Sequence, residues 1–585
     1  MTEEPSTPAD DPANPSPSDS SSVLPAEPAP HPKSHETGFH HLPGPFFSLR
    51  NVLWVGFFLL LTLATRCANY RNVFVNPGSG ATRLIFFTDG DCYSRMTRVR
   101  MILAHWQIVH YHPFENYPTG TWPHTTAPMD YLIVGIALLL KPFMSCYIDM
   151  AGAIVSPLLG LATTAFLALW ARELNQQYRR LMLLLGSLSP ILVHGTCLGR
   201  PDHQSLQIFL LAVGIGAELI MARAPCKSWG IVSGAAWGLA LWVSLYEPLV
   251  MFLAIYGTKL VFYRPKLFVK ERLWGLAVLI AILVFAYALE GSYLVKSFAI
   301  EARDPALKSY FQGWVSTIEE MKSVTTIGSD RTGRNVFWDL LYRWVGFGLL
   351  ASPLLLIARL RDTKRSTLLL ALLVTTFILT LLEVRWGYFF ALVYVMSLPW
   401  QLSLFKRKGL VWTLFILSLW PVARQWDEYL FDPLYRDLRA AQVGDQMRLR
   451  AAADFIKAHA PGAILAPWWW SPQLAYWSEQ PAVAGSSHES LAGIVDTARF
   501  FSTTDPKEAQ RICDERDVET VVTGSPGNIV GESVQILGQP LPQKDNTMAD
   551  ILWKSPHSVP MFLHVVVNDP VVKIFEVNHG SILYR

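Results

Sequence analysis

Long apolar stretches recur along the chain between Val52 and Trp420, and no other feature restricts its fold as much. A helix needs about 20 mostly apolar residues to cross the roughly 30 Å hydrocarbon core of a bilayer. Stretches that reach or approach this length lie near 50–68, 150–171, 180–198, 204–223, 228–245, 247–263, 272–290, 337–358, 366–384, 386–402 and 408–424. The sequence therefore predicts a polytopic α-helical membrane protein with about 11 to 13 spans.

The composition agrees with a membrane protein and excludes some partners. Hydrophobic residues make up 51% of the 585 residues and charged residues 16%, whereas about a quarter of a typical soluble protein is charged. The formal net charge of +3 is too small to indicate a nucleic-acid partner. The six cysteines form no Cys-x-x-Cys pair and no Cys/His cluster, so we predict neither a disulfide framework nor a zinc site.

Residues 1–45 differ in composition from the rest of the chain. They are rich in Pro, Ser, Ala and acidic residues, as in "STPADDPANPSPSDSSSVLPAEPAPHP", and contain few large apolar side chains. Such a segment cannot bury enough apolar surface to offset the entropy lost on ordering, so we predict a disordered tail. It lacks the basic start and apolar run of a signal peptide, and the first apolar stretch is therefore predicted to be an uncleaved anchor.

The basic loops set the predicted orientation. Cytoplasmic loops of membrane proteins are enriched in Lys and Arg. With the N-terminus in the cytoplasm, the inside loops are "ARELNQQYRR" (171–180), "ARAPCKSW" (222–229), "YRPKLFVKER" (263–272), "ARLRDTKR" (358–365) and "FKRKG" (405–409), and all are basic. This layout requires the apolar run from Met129 to Leu140 to be a short helix that lies in the membrane or partly enters it.

The same layout places several long segments on the outer face, and the last of them has a mixed pattern. Helical patterning as in "DQMRLRAAADFIKAHAP" and strand-like runs such as "MFLHVVV" predict an α+β domain near the C-terminus. The predicted parts are a disordered cytoplasmic tail at 1–45, a transmembrane domain at 46–425 with large outer loops at 69–149 and 291–336, and an extracytoplasmic α+β domain at 426–585.

Acidic residues gather on the predicted outer face. They are Asp89 and Asp91 after the first span, Asp202 with His203 and Gln204 at an outer turn, and Glu319 and Glu320 in the second large outer loop. Carboxylates at a membrane boundary are costly unless they are paired or bind a metal. Oxygen ligands suit a hard divalent ion such as Mg²⁺ or Mn²⁺. For Asp89 and Asp91 an ordinary loop position remains an alternative.

A single arginine lies between two spans on the same outer face. Arg385 stands in "LLEVRWGYFFALVY", two residues after Glu383. A guanidinium group can hold phosphate oxygens through paired donors, so Arg385 is a candidate diphosphate ligand. The alternative is an interfacial arginine that pairs with Glu383 or reaches the lipid headgroups.

These stretches occur in an order that resembles one enzyme family. In chain order they are "FTDGDCYSRM", "YPTGTWPHTTAPMDYLI" (117–133), "GRPDHQSLQ", "STIEEMKS" and "VRWGYFFAL". Together they resemble the motifs of the catalytic subunit of oligosaccharyltransferase, particularly its single-subunit archaeal and bacterial forms, in the C-type glycosyltransferase superfamily. The resemblance implies a C-type glycosyltransferase fold.

The resemblance also implies roles for individual residues. Asp91 matches the metal-binding acid of the first motif, and Asp202 matches the acid of the second. Gln204 stands where a carboxylate or histidine is usual in that motif. Glu320 matches the acid of the family's Thr-Ile-x-Glu element, and Arg385 matches the arginine that contacts the lipid diphosphate.

Three adjacent tryptophans near the start of the C-terminal domain raise a separate question. "LAPWWWSPQLAYW" (465–477) resembles the segment with the family's Trp-Trp-Asp motif, which binds the hydroxyl residue of the Asn-x-Ser/Thr acceptor. The candidate acceptor-binding residues are Trp468, Trp469, Trp470 and Ser471. Trp470 or Ser471 stands in the place of the family's Asp, and no carboxylate occurs from Trp468 to Ser478. Packing of the three rings against the bundle is the alternative.

The resemblance implies transfer of a glycan from a polyprenyl diphosphate carrier to asparagine of an exported protein, with inversion at the anomeric carbon. Asp91 and Glu320 would orient the acceptor amide, and Arg385 would stabilise the leaving diphosphate. Mn²⁺ or Mg²⁺ would be held by Asp91 and Asp202, with Gln204, His203 or His124 as further ligands. The expected partners are the lipid-linked glycan, the acceptor and membrane lipid, and the basic-inside layout fits a bacterial inner membrane.

Other functions remain open at this point. A C-type glycosyltransferase could use a lipid, a polymer or a protein hydroxyl as acceptor, which the missing Asp and Gln204 favour. A transporter of lipid-linked glycans would place its polar site near the membrane midplane, often with internal repeats, whereas here the acids lie in outer loops and no repeat is evident. An inactive scaffold is the last alternative.

Overall fold

A computed structural model of the chain describes residues 49–76, 83–123, 127–173, 177–263, 269–291, 305–327, 337–359, 364–543 and 546–579. All of these belong to one compact unit. The predicted tail at 1–45 lies outside the described residues.

The first half of the described chain is helical apart from two short strands. Its helices are α1 (Leu49–Arg66), α2 (Tyr70–Val73), α3 (Gly90–His105), α4 (Ala127–Leu140), α5 (Tyr147–Glu173), α6 (Arg179–Leu188), α7 (Pro190–His194), α8 (His203–Met221), α9 (Lys227–Val243), α10 (Tyr246–Tyr263) and α11 (Lys270–Glu290). Strands β1 (Phe74–Val75) and β2 (Leu84–Ile85) pair antiparallel just before α3.

Helices continue to the start of the C-terminal domain. They are α12 (Pro305–Val315), α13 (Val324–Ile327), α14 (Phe337–Val345), α15 (Ser352–Arg359), α16 (Lys364–Leu382), α17 (Gly387–Leu402), α18 (Lys408–Ser418), α19 (Trp420–Phe431) and α20 (Pro433–His459). Short 3₁₀ turns lie at Glu319–Met321, Phe347–Ala351 and Val384–Trp386.

Several helices have the length and composition of membrane spans. Among the described residues these are Leu49–Arg66, Tyr147–Arg172, His203–Met221 and Lys270–Glu290. The segments Phe347–Ala358 and Phe337–Val345 meet at a bend of 100° and make a fifth span if they are counted as one. Every predicted span position carries a helix, but the number of spans remains a prediction because the other helices are shorter or more polar.

The short apolar helix that the basic-loop layout requires is present as α4. It has 14 residues, Ala127–Leu140, and does not reach the length of a span. Its length agrees with the prediction for the apolar run from Met129 to Leu140.

Glycines and a fully buried helix shape the bundle. A Cβ atom at Gly234 in α9 would collide with the backbone of Gly275 in α11, so these helices approach each other closely only because both residues are glycine. Helix α17 lies at the centre, because every residue from Gly387 to Gln401 is buried. Its first turn therefore holds the preceding residues, including Arg385, at a fixed place on the bundle.

The C-terminal part contains a mixed four-stranded sheet. The strands are β3 (Ala463–Leu465), β4 (Val518–Thr523), β5 (Leu563–Asn568) and β6 (Lys573–Val577), in the order β3-β4-β6-β5. Strands β3 and β4 are parallel, and the other neighbours are antiparallel. The accompanying helices are α21 (Ser471–Ser478), α22 (Leu491–Ser502), α23 (Pro506–Glu515), α24 (Pro526–Leu537) and α25 (Met548–Lys554).

Candidate active site

The first acidic motif lies at the start of α3. The Asp89 carboxylate caps this helix by accepting a hydrogen bond from the Cys92 N–H at 3.0 Å. Asp91 therefore lies in the first turn, where the unpaired N–H groups favour negative charge. Its side chain is open to solvent.

Asp91 stands among other acids. Although its side chain reaches solvent, the surrounding protein desolvates it and raises its pKa to about 8, and the charges of Asp89, Asp202 and Glu320 contribute to the shift. A hydrogen bond from Ser486 of the C-terminal domain partly offsets these effects. The site therefore carries negative charge that nearby cationic side chains do not fully compensate.

The second acidic motif lies at the start of α8. Asp202 caps this helix by accepting the His203 N–H at 2.6 Å, and its carboxylate lies 2.7 Å from His203 Nδ1. Guanidinium groups of Arg200 and Arg95 lie 3.6 Å and 3.8 Å from it. Burial alone would raise the pKa of Asp202, but His203 and the two arginines outweigh burial and lower it well below its usual value.

Glu320, in the 3₁₀ turn at Glu319–Met321, is bound to the same motif. It accepts hydrogen bonds from Arg200 Nη2 at 2.6 Å, Gln204 Nε2 at 2.7 Å and the Tyr388 hydroxyl at 3.0 Å. Burial would raise the pKa of Glu320, but Arg200 and His194 lower it to about 2. The structure thus brings Glu320 and Asp202 into one network, as the sequence predicts.

Arg200 is a central residue that the sequence analysis missed. Its guanidinium lies 3.6 Å from Asp89 and 3.6 Å from Asp202, and it donates to Glu320. It also donates to Gln204 Oε1 at 3.0 Å. The available signal was its place two residues before Asp202, as the basic residue of "LGRPDHQSLQ".

The predicted Gln204 ligand is thus already engaged by protein groups. Its oxygen accepts from Arg200 and its nitrogen donates to Glu320. In this arrangement Gln204 connects the second acidic motif with the turn that carries Glu320.

Arg385 lies in the turn before α17 and is paired differently from the sequence-based alternative. Its Nη2 donates to Glu247 at the start of α10, and its Nη1 lies 3.6 Å from Met321 Sδ. Burial would lower the pKa of Arg385, but Glu247, followed by Glu320 and Glu383, raises it above its usual value. Arg385 therefore stays charged close to the turn that carries Glu320.

The predicted metal ligands fit a divalent cation on charge. Asp91 lies near Asp202 and Asp89, and the repulsion among these acids contributes to the raised pKa of Asp91, which a bound cation would offset. His203 offers a ring nitrogen beside Asp202. His124, the other predicted ligand, lies outside the described residues.

A tighter group of metal-ligating side chains occurs elsewhere in the described chain. Asp517, Glu519 and His579 in the C-terminal domain have ligand atoms within 4.8 Å of one another, and all three are exposed. This group lies apart from the acidic motifs, and the sequence analysis did not single it out.

The tryptophan segment contacts the first acidic motif directly. A Cβ atom built on Gly90, next to Asp91, would lie 3.6 Å from the Trp469 carbonyl oxygen, 3.5 Å from the Pro472 side chain and 3.6 Å from Ser486. The segment after β3 is therefore packed onto the start of α3. This contact places the tryptophans at the edge of the acidic site.

The four candidate acceptor residues have different surroundings. Trp468 packs edge-on against Trp314 of α12, with 6.0 Å between ring centroids. Trp469 packs on the core of the C-terminal domain, and the Trp470 ring fills the space that a Cβ atom at Gly524 would need. Ser471 is fully buried, and its hydroxyl donates to the Ala466 carbonyl at 3.0 Å.

An acid does reach the tryptophans, but from another helix. The Trp468 Nε1–H donates to Glu532 of α24 at 3.1 Å. Burial raises the pKa of Glu532, the Trp468 bond and Lys322 lower it, and Glu319 raises it further. Glu532 therefore lies between the tryptophan segment and the loop that carries Glu320. No local sequence pattern indicates it, because it follows Trp468 by 64 positions.

Comparison with known proteins identifies the fold. No protein-family model matches the chain. A segment of 181 residues, 30% of the chain, is 27% identical to dolichyl-phosphooligosaccharide-protein glycotransferase 1 of Archaeoglobus fulgidus, and the match spans 28% of that relative's length.

Two solved structures are similar over most of the chain. The archaeal oligosaccharyltransferase AglB from Archaeoglobus fulgidus, in complex with an inhibitory peptide and a dolichol-phosphate, matches with a TM-score of 0.65 and 14% identity, over 89% of this chain and 79% of its own. The oligosaccharyltransferase of the same organism in complex with Zn and sulfate matches with a TM-score of 0.62 and 14% identity, over 88% and 79%. The predicted resemblance is confirmed, and the chain has the fold of these polytopic membrane glycosyltransferases.

Proposed function

We propose that the protein is a membrane glycosyltransferase that moves a glycan from a polyprenyl diphosphate carrier to the side-chain amide of asparagine in an exported protein. One observation carries the proposal. Asp91, Asp202, Glu320 and Arg385 come from four separate outer segments, and all contribute to one electrostatic network near Arg200. The relatives with this fold include enzymes named for the same reaction.

The two catalytic acids act on the acceptor amide. Glu320 stays ionised because its pKa is lowered to about 2, so it can accept a hydrogen bond from the amide N–H. Asp91 lies open to solvent near it, and it would accept a second N–H as a carboxylate when a bound cation offsets the repulsion that contributes to its raised pKa. Two fixed acceptors would orient a weak nucleophile toward the anomeric carbon, with inversion as the stereochemical result.

A divalent cation, Mn²⁺ or Mg²⁺, held by Asp91 and Asp202 with His203 as a further ligand, would supply positive charge near the leaving diphosphate. Gln204 is a poorer ligand candidate than Asp202, because Arg200 and Glu320 already occupy its amide. Arg385 would bind diphosphate oxygens through paired N–H groups. Its Nε is buried without a partner among the described residues, so it has donor capacity to spare.

The acceptor side would be formed by the tryptophan segment together with Glu532. Trp468 and Glu532 are joined by a hydrogen bond and lie near Glu319. We assign the acceptor hydroxyl to Glu532, because the Ser471 hydroxyl is taken up by the backbone. Trp469 and Trp470 would support this pocket through packing. Glu532→Gln should raise KM for an Asn-x-Thr peptide about tenfold, since a neutral acceptor replaces a charged one.

The predicted domain organisation belongs to the same proposal. A cytoplasmic tail at 1–45 would precede a transmembrane domain at 46–425 with about 11 to 13 spans and outer loops at 69–149 and 291–336. The domain at 426–585 would lie outside the cytoplasm, on the periplasmic face of a bacterial inner membrane. Membrane lipid, the lipid-linked glycan and the acceptor protein are the proposed partners.

Mass spectrometry of a fluorescent Asn-x-Thr peptide tests the reaction. The peptide is incubated with detergent-purified protein, a polyprenyl diphosphate glycan extract and Mn²⁺, beside a matched Gln-x-Thr peptide and a sample with EDTA. The proposal predicts a glycopeptide from the asparagine peptide alone, lost with EDTA. Donor consumption without glycopeptide would move the reaction to another acceptor, and an unconsumed donor would contradict the glycosyltransferase assignment.

A further inference from the structure

A cavity lies in the bundle next to the acidic site. Its volume is about 520 Å³, within the range of small-molecule pockets. Helices α1, α2, α7, α14, α19 and α20 form its walls. None of the residues that the acceptor proposal uses lines it.

The chemistry of the cavity walls suits a neutral polar ligand. Four amide side chains line it. Asn69 and Asn72 lie at α2, Gln425 lies on α19 and Gln442 lies on α20. Within the described part of the chain, the side-chain amides of Asn72 and Gln442 have no hydrogen-bond partner. An amide offers both donors and acceptors, as ligand hydroxyl groups require.

Aromatic rings complete the lining. Trp344, Trp426 and Tyr429 contribute to the wall. The indole N–H of Trp426 already donates to the Leu188 carbonyl at 2.8 Å, so that ring presents apolar surface to the cavity. Rings beside amides match a sugar, which has an apolar C–H face and a polar rim of hydroxyl groups.

The lining argues against an anionic ligand and against a lipid tail. Arg439 is the arginine in the wall, and its Nη1 donates to the Tyr429 carbonyl at 2.5 Å while its guanidinium lies over the Tyr429 ring. It is the one permanently charged side chain among the lining residues, and its contacts with Tyr429 hold it against the wall. A polyprenyl chain would cover the unpaired amides of Asn72 and Gln442 and offer them no hydrogen-bond partner, and it is costly to remove such polar groups from water.

The cavity shares a wall with the acidic site. His194 lines it with an exposed side chain, and His194 Nε2 lies 3.2 Å from Arg200 Nη1. Thr88 also lines it, and its hydroxyl donates to Asp89 at 3.1 Å. A donor bound at the acids could therefore extend its outer sugars into this cavity.

We propose that this cavity binds neutral sugar units of the donor glycan that lie beyond the sugar attached to the diphosphate. The assignment rests on the proposed function, because it takes the acids beside His194 as the place where the glycan is transferred. It makes the cavity the part of the protein that selects donors by glycan length.

The test compares two donors on the same protein. Both are polyprenyl diphosphates, one carrying a single N-acetylglucosamine and the other carrying chitotriose, and transfer to an Asn-x-Thr peptide is measured as kcat/KM. The wild-type protein should prefer the chitotriose donor by about tenfold, the worth of one or two hydrogen bonds. Gln442→Ala removes an exposed amide of the wall, and Ala68→Phe fills the cavity from the end of α1. In both variants the preference should fall to within about twofold.

Ala441→Phe is the matched control for the filling variant. Ala441 is exposed on α20, next to Gln442, and does not line the cavity. This variant should keep the wild-type preference for the longer donor. A thermal unfolding midpoint close to that of the wild type, measured in detergent, shows that each variant has folded.

The outcomes separate the two proposals. Transfer from both donors with equal kcat/KM in the wild type would overturn the cavity assignment and leave the proposed function intact. If Gln442→Ala and Ala68→Phe changed KM for the peptide and not for the donor, the cavity would be an acceptor site and the assignment to the donor glycan would be overturned. No transfer from either donor by the folded wild type would overturn the proposed function itself.

Discussion

Both ends of α8 carry buried acidic side chains, Asp202 at the start and Glu218 near the end. Comparing them distinguishes a charge cluster that stabilises the fold from one that is available to bind a ligand. Near the end of the helix, Glu218 is 2% exposed and forms ion pairs with Lys259 and Arg272. It also accepts hydrogen bonds from Ser233 at 2.6 Å and Tyr256 at 3.0 Å. This acid is therefore fully satisfied by side chains of the bundle.

At the start of the same helix, the balance between charges is reversed. Asp202, Asp89 and Glu320 all lie around the guanidinium of Arg200, with Arg95 also near Asp202, and Asp91 stands beside them. The acids outnumber the bases that hold them, and the pKa of Asp91 is raised to about 8. A site with unsatisfied charge is prepared for a ligand, whereas a satisfied cluster holds helices together.

The largest expected effect is the loss of activity in Asp91→Ala. It removes an acceptor of the amide N–H and a proposed metal ligand, so transfer should fall by about 1,000-fold or more. Because Asp91 is exposed and crowded by other acids, the thermal unfolding midpoint should not fall. Asp454→Ala, which removes an exposed carboxylate from α20, is the control. Full activity in Asp91→Ala would contradict the assignment of Asp91 as a catalytic residue and metal ligand.

Glu218→Gln should show the opposite pattern. It leaves Lys259 and Arg272 buried without their acid, which costs about 3–5 kcal/mol of unfolding free energy. The activity of the protein that remains folded should stay at the wild-type level. Adding Lys259→Met should restore part of the lost stability in denaturation experiments. An unchanged unfolding transition in Glu218→Gln would refute the structural role.

An exchange of arginine for lysine sharpens the comparison at both ends. Arg200→Lys loses the guanidinium that reaches His194 and Glu320 through different nitrogens, so transfer should fall about 10- to 100-fold. Arg272→Lys keeps a positive charge near Glu218 and should stay within about twofold of the wild type. The measurement is kcat/KM for transfer. Equal losses in Arg200→Lys and Arg272→Lys would contradict the different roles assigned to the two ends of α8.

The smallest effect concerns a buried carboxyl between α3 and α4, at a contact with the segment after α21. Glu115 is buried against Gly485, and burial raises its pKa to about 7, with Ser94 and Arg98 lowering it. Its folded form holds the proton more tightly, so its contribution to stability is present below the usual pKa and is lost as the pH rises through about 7.

Glu115→Gln should remove this pH dependence. At pH 8 the variant should be more stable than the wild type by about 2 kcal/mol, while at pH 4 the two should be similar. Thermal unfolding midpoints in detergent at several pH values provide the measurement. A wild-type midpoint that does not fall between pH 5 and 8 would show that Glu115 does not titrate there.

Local patterns predicted the parts of the site that are encoded locally. Asp202 stands out because an Asp-His pair between two apolar stretches has few structural reasons to occur, and the structure places it in the acidic network. The short helix α4 followed from the positions of the basic loops together with the shortness of its apolar run. Asp202 and α4 could both be predicted from the sequence because apolar stretches and charged loops alternate along the chain.

Partners across the fold could not be read in this way. Glu247 and not Glu383 pairs with Arg385, and Glu532 supplies the carboxylate at Trp468. Each of these contacts joins segments that are far apart in sequence, and only tertiary packing selects among several acids. Hydropathy could not predict the span count for a similar reason, since Gly346 adopts a left-handed φ of 84° and the chain bends where hydropathy is continuous.

The most direct test is the transfer rate per folded molecule of Asp202→Asn beside Glu218→Gln. Asparagine caps a helix as well as aspartate does, so Asp202→Asn removes the charge at the start of α8 and keeps the cap. The account predicts that the folded fraction of Asp202→Asn has lost transfer to an Asn-x-Thr peptide, whereas the folded fraction of Glu218→Gln transfers at the wild-type rate. Equal rates per folded molecule in both variants would contradict it.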